Sequence, residues 1–461
     1  MSKMRTLRRY LLVRLMVLLV GGASVWQIAA LRAAAQDAKR SPNFIIVMAD
    51  DLGYGDLSVY DGWIETPHLD RMAAEGLRFT DFHSSGAVCS PTRAGLMTGR
   101  YQQRAGIPGV VFANPEREEH DDGLQPAEVT FAEVLGQAGY RTAMFGKWHL
   151  GYLRKYNPIH QGFDQFRGFV SGNVDYFSHV DQVGNYDWWN GAELVNEHGY
   201  TTKLVTKHAV RFIENKRDQP FCLYMAYAAP HSPYQGPDGA GFRIPGRSMV
   251  FQDRDTTRMR SAYRQMVQVM DDGLGQVMAK LERLELARET FVLFFSDNGA
   301  SPRGSNRPLR GHKGTVWEGG HRVPAIAWWP GRIEAGRITS ELAISLDVMP
   351  TLLDLAGVDG PSNRVMDGMS LTPLLFEEAS DEERQLFWAH GDQLAMRSGP
   401  WKLVLRAPGQ PGNGQPALYN LEQDLDESHD LAEKYPGRVR TMRAALRAWQ
   451  EDVEATATSQ P

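Results

Sequence analysis

The chain has 461 residues, with 50 Lys+Arg against 55 Asp+Glu, a formal net charge of −5 and 42% hydrophobic residues. That length holds a large buried core and exceeds one small domain, and the composition is that of an ordinary globular protein. The mild acidity leaves no basic footprint for nucleic acid, so an anionic substrate would have to be drawn by a local cluster of cations.

Residues 1–40 differ from the rest. Lys3, Arg5, Arg8, Arg9 and Arg14 precede an apolar run over 15–20, and Ala33, Ala34 and Ala35 follow. This is the pattern of a secretory signal peptide over residues 1–35, and it predicts export to a periplasm or to the exterior, with no stable membrane span after cleavage. The alternative is an uncleaved anchor. Residues 15–31 are uncharged, but Gly21, Gly22, Ser24 and Gln27 interrupt them and the stretch is short for a span.

The mature chain begins with a continuous apolar run over 43–49, the signal of a strand buried on both faces, which ends in Asp50-Asp51. Thr66-Pro67 starts a helix that Gly76 stops, and residues 77–82 read as a strand. Thr130 and Glu133 form a capping box, opening a helix that ends at Gly139. A strand over 141–145 runs into Lys147 and His149. A helix over 201–216 carries Val205, Ala209, Phe212 and Ile213 on one face. The strand over 221–227 delivers His231. A long helix over 256–284 precedes a strand over 291–295, which ends in Asp297-Asn298. A further strand covers 325–329, and a helix through 350–355 stops at Gly357. Beyond residue 375 the texture changes: a charged break at 377–384, short strands over 394–397 and 401–405, a Pro/Gly-rich loop at 409–416, a strand over 417–421 and a helix over 436–453.

The alternation of helix and apolar strand predicts an α/β fold, a large mixed and mostly parallel sheet sandwiched by helices, with a small C-terminal antiparallel sheet packed with a helix. The expected domains are 41–375 and 380–461. Asp50-Asp51, Lys147 with His149, His231, and Asp297-Asn298 each follow a strand. Ligands of open α/β sheets bind beyond the carboxyl ends of strands, so these clusters are expected to meet in one crevice. Asp50, Asp51, Asp297 and Asn298 offer only oxygen, which suits a hard cation such as Ca²⁺ or Mg²⁺.

Cys89 is one of two cysteines. Ser90 is read as an N-cap, Pro91 as the first helical residue and Gly99 as the stop, which sets Cys89 and Arg93 at the positive end of a helix, a place for an anion. Cys222 lies in an apolar run and reads as a core residue. The pattern Cys89-x-Pro91-x-Arg93 resembles the signature of the sulfatase family. Asp50-Asp51-Leu-Gly-Tyr-Gly, residues 139–149, Ala229-Pro-His231, Ser296-Asp297-Asn298-Gly and residues 310–320 share the resemblance, which covers roughly 41–435.

The resemblance implies that a separate formylglycine-generating enzyme oxidises Cys89 to formylglycine. The hydrated aldehyde would then attack sulfur through one hydroxyl, and deprotonation of the other would expel sulfate. It also implies metal ligation by Asp50, Asp51, Asp297, Asn298 and the modified Cys89. Arg93, Lys147, Lys313 and the cation would balance charge spreading over the sulfate oxygens. His149 is the expected base for expelling sulfate, and His231 with Lys313 is expected to protonate the leaving alcohol. Ser171 and His312 are expected substrate contacts. Tyr176, Phe177, Tyr186, Trp188 and Trp189 form either a sugar-stacking wall or ordinary packing. The substrate class stays open among aryl sulfates and sulfated carbohydrates. So do two other functions: a phosphoester or phosphonate hydrolase with the same aldehyde, and a silent binder of sulfated glycans with Cys89 left as a thiol.

Overall fold

The unbroken apolar runs become the centre of one sheet. In chain order its strands are β1 (Asn43–Ala49), β2 (Leu77–Phe79), β4 (Arg141–Lys147), β5 (Gln165–Phe169), β6 (Trp189–Asn190), β7 (Glu193–Leu194), β8 (Phe221–Ala226), β9 (Thr290–Ser296), β10 (Ala325–Trp328) and β11 (Arg337–Thr339), with β3 (Phe82–His83) and β12 (Ala343–Ile344) paired apart from it. The computed structural model describes residues 41–215, 219–248, 255–376, 384–407, 409 and 415–457. The expected signal peptide, residues 1–35, lies outside them, as do most of the charged break at 377–384 and of the loop at 409–416.

The ten strands run in the order β11-β2-β10-β9-β1-β8-β4-β5-β6-β7. From β9 to β5 every pairing is parallel, whereas β10 runs antiparallel to both β9 and β2 and β6 antiparallel to β5. This is the mixed, mostly parallel sheet that the sequence predicts. Alternate residues of β1 enter opposite layers, as the two-residue period of a strand requires. Ile45, Val47 and Ala49 face helices α1 (Pro67–Ala74), α4 (Thr201–Glu214) and α5 (Thr256–Arg283). Phe44, Ile46 and Met48 face α2 (Cys89–Thr98), α3 (Phe131–Gln137) and α6 (Val348–Ala356). Both faces of the central strands are covered, and β1, β8 and β9 are buried along their whole length. The Thr130/Glu133 capping box opens α3, and Gly357 closes α6 in the left-handed conformation.

Two local readings are corrected. Helix α2 begins at Cys89, with Val88 at its N-cap; Ser90 lies inside the first turn, where its hydroxyl accepts the Val111 N–H at 3.2 Å. The strand expected over 77–82 breaks after Phe79, because the Asp81 carboxylate turns toward Arg322 and Arg397. Gly99 ends α2 as expected, with φ 65°.

The C-terminal sheet has four antiparallel strands, β13 (Gln385–His390), β14 (Gln393–Ser398), β15 (Trp401–Leu405) and β16 (Ala417–Asn420). Helix α7 (Pro436–Ala455) lays Met442, Leu446, Trp449 and Val453 on it. Tyr101, Trp317, Ile344 and Leu346 share that core. No helix among the described residues is long and apolar enough to cross a membrane.

Gly146 sets how closely β4 and β8 approach beside Lys147. Its φ is +113°, and a Cβ there would lie 1.9 Å from the Ala226 carbonyl oxygen. Gly146→Ala should therefore cost about 1–3 kcal/mol in backbone strain alone, and more from prising the strands apart. The expected result is a melting temperature several degrees lower, and an unchanged melting curve would show that the strands separate freely.

Candidate active site

Four neighbouring strands, β9, β1, β8 and β4, run parallel, so their carboxyl ends share one edge. The register brings the acids level. The Asp297 N–H donates to the Ala49 carbonyl at 3.1 Å and the Asp50 N–H to the Ala229 carbonyl at 3.1 Å. Asp51 takes a left-handed φ of 67°, which lets two successive carboxylates turn into the same pocket. Helix α2 faces that edge and presents Cys89 and Arg93.

Each carboxylate meets a different cation. Lys147 Nζ lies 2.6 Å from Asp50 Oδ2, both side chains fully buried. Lys313 Nζ lies 2.5 Å from Asp51 Oδ1 and 3.2 Å from Cys89 Sγ. Arg93 donates to Asp297 Oδ2 from Nη2 at 2.8 Å and from Nε at 3.2 Å, while its Nη1 donates to the Lys147 carbonyl. Cys89 Sγ donates to Asp50 Oδ1 at 3.4 Å. Asn298 Nδ2 donates to Asp51 Oδ1 at 2.8 Å, and Asn298 Oδ1 is buried without a hydrogen-bond partner. Asp50, Asp51, Cys89 and His231 each bring a ligand atom within 4.8 Å of the others.

Burial opposes every charge here, and the pairings decide which groups keep theirs. Burial pushes the Cys89 thiol up to about 12 despite Lys147 and Lys313, so it stays protonated at neutral pH. Burial and Asp50 push the Asp297 carboxyl up as well. Burial works the same way on Asp51, but Lys313 and His231 hold it well below the carboxylate range. Lys313 is held well above its ordinary value by Asp51 and Cys89, against burial.

His149 follows β4 with a left-handed φ of 57°. Its Nε2 lies 2.9 Å from the Val111 carbonyl and must donate to it, which leaves Nδ1 as a lone pair; that atom is buried and without a partner. Burial, Lys147 and Arg93 keep the ring neutral. His231 donates from Nδ1 to the Ser232 carbonyl at 2.6 Å, and its Nε2 lies 3.8 Å from Asp51 Oδ2. Burial pushes its pKa down to about 3.

The remaining sequence candidates sit differently. Ser171 is buried and its hydroxyl donates to the Asn173 carbonyl at 3.1 Å, while its N–H is held by Asp187. His312 is exposed and bonded to the Lys313 carbonyl through Nδ1. Trp188 is fully buried and stacks on His179, with ring centroids 4.5 Å apart. Tyr176 is buried too, and its hydroxyl donates to the Ala228 and His231 carbonyls. Both are packing residues, and Tyr176 props the loop that carries His231. Cys222 is a buried core residue of β8.

The family model described as Sulfatase matches residues 42–358. N-acetylgalactosamine-6-sulfatase of Rattus norvegicus is 36% identical over 403 residues, covering 82% of this chain and 74% of that protein. Arylsulfatase A of Homo sapiens is 33% identical over 477 residues, covering 91% and 89%. Among solved structures, Ps i-CgsB in complex with k-i-k-neocarrahexaose aligns with a TM-score of 0.78 at 28% identity, over 92% of this chain and 95% of that one. The chain belongs to the sulfatase family and is a sulfuric ester hydrolase.

A second buried ionic network lies behind the loops that carry Cys89 and Lys313, and only its Glu318-Gly-Gly-His321 portion borders a motif visible in the sequence. Lys402 Nζ, from β15, lies 2.9 Å from Glu318 and 2.8 Å from Glu427, all three fully buried. It also lies 3.3 Å from His321 Nε2. His321 Nδ1 and His83 Nδ1 are 2.9 Å apart, and His83 Nε2 is 2.8 Å from Asp81. An ammonium can only donate and a carboxylate can only accept. Asp81 accepts from His83 Nε2, so the neutral His83 ring accepts at Nδ1 from His321 Nδ1, while His321 Nε2 faces both the Lys402 ammonium at 3.3 Å and the Val316 carbonyl at 3.2 Å. Burial pushes the pKa of both rings down.

Removing the ammonium strands two carboxylates in the interior. Lys402→Met should cost about 3–5 kcal/mol, the usual penalty for breaking a buried ion pair on one side. Thermal melting checks it; a curve within a degree of the wild type would mean that Arg322 and Arg397 suffice.

Proposed function

We propose that this chain hydrolyses sulfate esters of carbohydrates with an oxidised Cys89 as nucleophile and a divalent cation held by Asp50, Asp51, Asp297 and Asn298. The observation that carries the reading is the convergence of three carboxylates and three cations on one cysteine, with Cys89 Sγ 3.4 Å from Asp50 and 3.2 Å from Lys313. The carbohydrate class is supported by the relatives named for N-acetylgalactosamine and by the structure of Ps i-CgsB with its neocarrahexaose. Export rests on residues 1–35 alone, and maturation would need the oxidising enzyme.

The donor set fits a hard cation. It offers carboxylates and an amide oxygen, and Asn298 Oδ1 is a buried acceptor lacking the partner such an ion would give it. The charge balance agrees. Three carboxylates and three cations cancel, and a divalent ion leaves a surplus of two positive charges, enough for a sulfate monoester and an ionised nucleophile together. When bound, the cation would lower the pKa of the nucleophile and draw charge from the sulfate oxygens. Formylglycine would supply a hydrate with one hydroxyl to attack sulfur and a second to expel sulfate.

The protein's own side chains do the rest. Arg93 and Lys147 are locked by Asp297 and Asp50, so their charges stay aimed without reorganisation. Lys313 is 21% exposed and so is the cation that meets an incoming sulfate from the open side. His149 Nδ1 is the free lone pair that accepts the proton when sulfate departs. His231 is neutral at rest; an anionic ester beside it favours its protonated form, which then serves the leaving alcohol.

Cys89→Ala should lower aryl sulfate turnover more than about a thousandfold while the melting temperature stays within a few degrees. Retained turnover would sink the nucleophile assignment. Turnover of aryl phosphate above aryl sulfate would favour the phosphoester reading, and a Cys89 peptide with the intact thiol mass would favour the silent binder.

Metal affinity should fall with acidification. Burial and the neighbouring Asp50 push the Asp297 carboxyl up to about 6, and it must lose its proton before it can ligate. Between pH 7 and pH 5 the affinity for Ca²⁺ should drop about tenfold from this group alone. In the metal-free protein the sign reverses: a raised carboxyl stabilises the fold below its unfolded pKa and loses that contribution as pH rises through about 6. Calorimetry in two buffers of different ionisation enthalpy should find close to one proton released per ion at pH 5 and little at pH 7; equal release at both would refute the assignment.

A further inference from the structure

A cleft of about 590 Å³ lies between the first turns of α5 and the loop that follows Asp297-Asn298, and Trp63, Arg260, Arg264 and Arg303 line it. No lining residue is acidic. Among the described residues, none of the three arginines has a carboxylate partner. Arg260 and Arg264 stand four residues apart on α5, where like charges repel. Trp63 offers no free face for a sugar: its ring stacks on Tyr263 at 6.2 Å, and the Arg260 guanidinium covers it at 4.4 Å. The aromatic ring is a prop that holds one guanidinium in place. Three unneutralised guanidinium groups around an open cleft are an arrangement that an anion relieves, and their planar forks match the oxygens of a sulfate or carboxylate.

The cleft adjoins the candidate active site. Gly304, in its wall, is packed so closely on Tyr263 that a Cβ there would lie 2.3 Å from the phenol oxygen. That hydroxyl donates to Asp56 Oδ2 at 2.5 Å and lies 3.1 Å from the Asp51 carbonyl. Tyr234, bonded to Ser301 at 2.8 Å, feels both Asp51 and Lys313 of the site and Arg303 of the cleft.

We infer that this cleft is a second anion subsite, one that takes a further sulfate or carboxylate of an oligosaccharide whose scissile sulfate lies at Cys89. The inference rests on the sulfate ester reading above and narrows it: the natural substrate is a polyanionic glycan rather than an isolated aryl or monosaccharide ester. The cleft volume falls in the range of small-molecule sites.

The test uses the Cys89→Ala protein, which binds without turnover, and a sulfated carrageenan tetrasaccharide with its desulfated counterpart as probes. Replacing Arg260 and Arg264 by Ala in that background should weaken binding of the sulfated probe about tenfold and flatten its salt dependence, leaving the desulfated probe unaffected. Arg303→Ala should act in the same direction. In the otherwise wild-type enzyme the same substitutions should leave kcat and KM for an aryl sulfate unchanged. Equal affinity for the sulfated probe with and without the arginines would overturn the inference, and so would an equal loss toward single-stranded DNA, which would make the cleft an unspecific basic patch. Failure of the underlying reading looks different: the wild-type enzyme would not turn over aryl sulfate, whatever the arginines do to glycan binding.

Discussion

The constraint that shapes this molecule is the crowding of Asp50, Asp51 and Asp297 at the ends of two adjacent strands, with almost no solvent around them. Three like charges in a dry pocket repel strongly, and the protein meets that cost with three separate ion pairs. The cations come from α2, from the end of β4 and from the loop before Trp317. None of these elements could move independently without leaving a buried carboxylate unpaired. The strand order follows from this: β1 must lie beside both β9 and β8, and β4 must follow next, for the four ends to share one edge.

The same electrostatics bear on the nucleophile. Enzymes that use a thiolate lower its pKa with a helix N-terminus or a neighbouring cation. Cys89 has both, at the start of α2 and 3.2 Å from Lys313, yet its thiol is pushed up to about 12. Burial wins, and Asp297 and Asp50 add to it. A cysteine in this setting makes chemical sense as the precursor of another group.

Much of this architecture was legible in the residues. The apolar runs before Asp50, Lys147, His231 and Asp297 marked buried parallel strands, and strands of that kind must put their carboxyl ends together when they are neighbours. The Thr130/Glu133 capping box and Gly357 marked helix ends through local chemistry. What escaped depended on distant partners. Ser90 looks like an N-cap until the Val111 N–H claims its hydroxyl. The strand over 77–82 looks continuous until Arg322 and Arg397 draw Asp81 aside. Strand β13 buries Leu386 and Trp388 and leaves Phe387 half-buried, but the run Leu386-Phe-Trp-Ala389 is apolar throughout, so its sequence shows no alternation. Lys402 and Glu427 are buried charges, which composition and spacing cannot tell from surface ones.

The Lys402 network bears on the reaction as well as on the fold. Its two ends hold different parts of the site. His83 leads into the turn before Cys89, and the Ser84 N–H donates to the His321 carbonyl at 2.7 Å. Glu318 and His321 follow the loop that carries Lys313, and the Gly314 N–H donates to the Ala87 carbonyl at 2.8 Å. The C-terminal sheet supplies the Lys402 ammonium, which pairs with Glu318 and lies 3.3 Å from His321 Nε2. Each imidazole is bonded at both ring nitrogens, so neither can turn over without breaking bonds on both sides, and the spacing of the Cys89 and Lys313 loops is held from behind. The small sheet is thus a clamp on the geometry of the site, although none of its residues belongs to the carboxylate cluster.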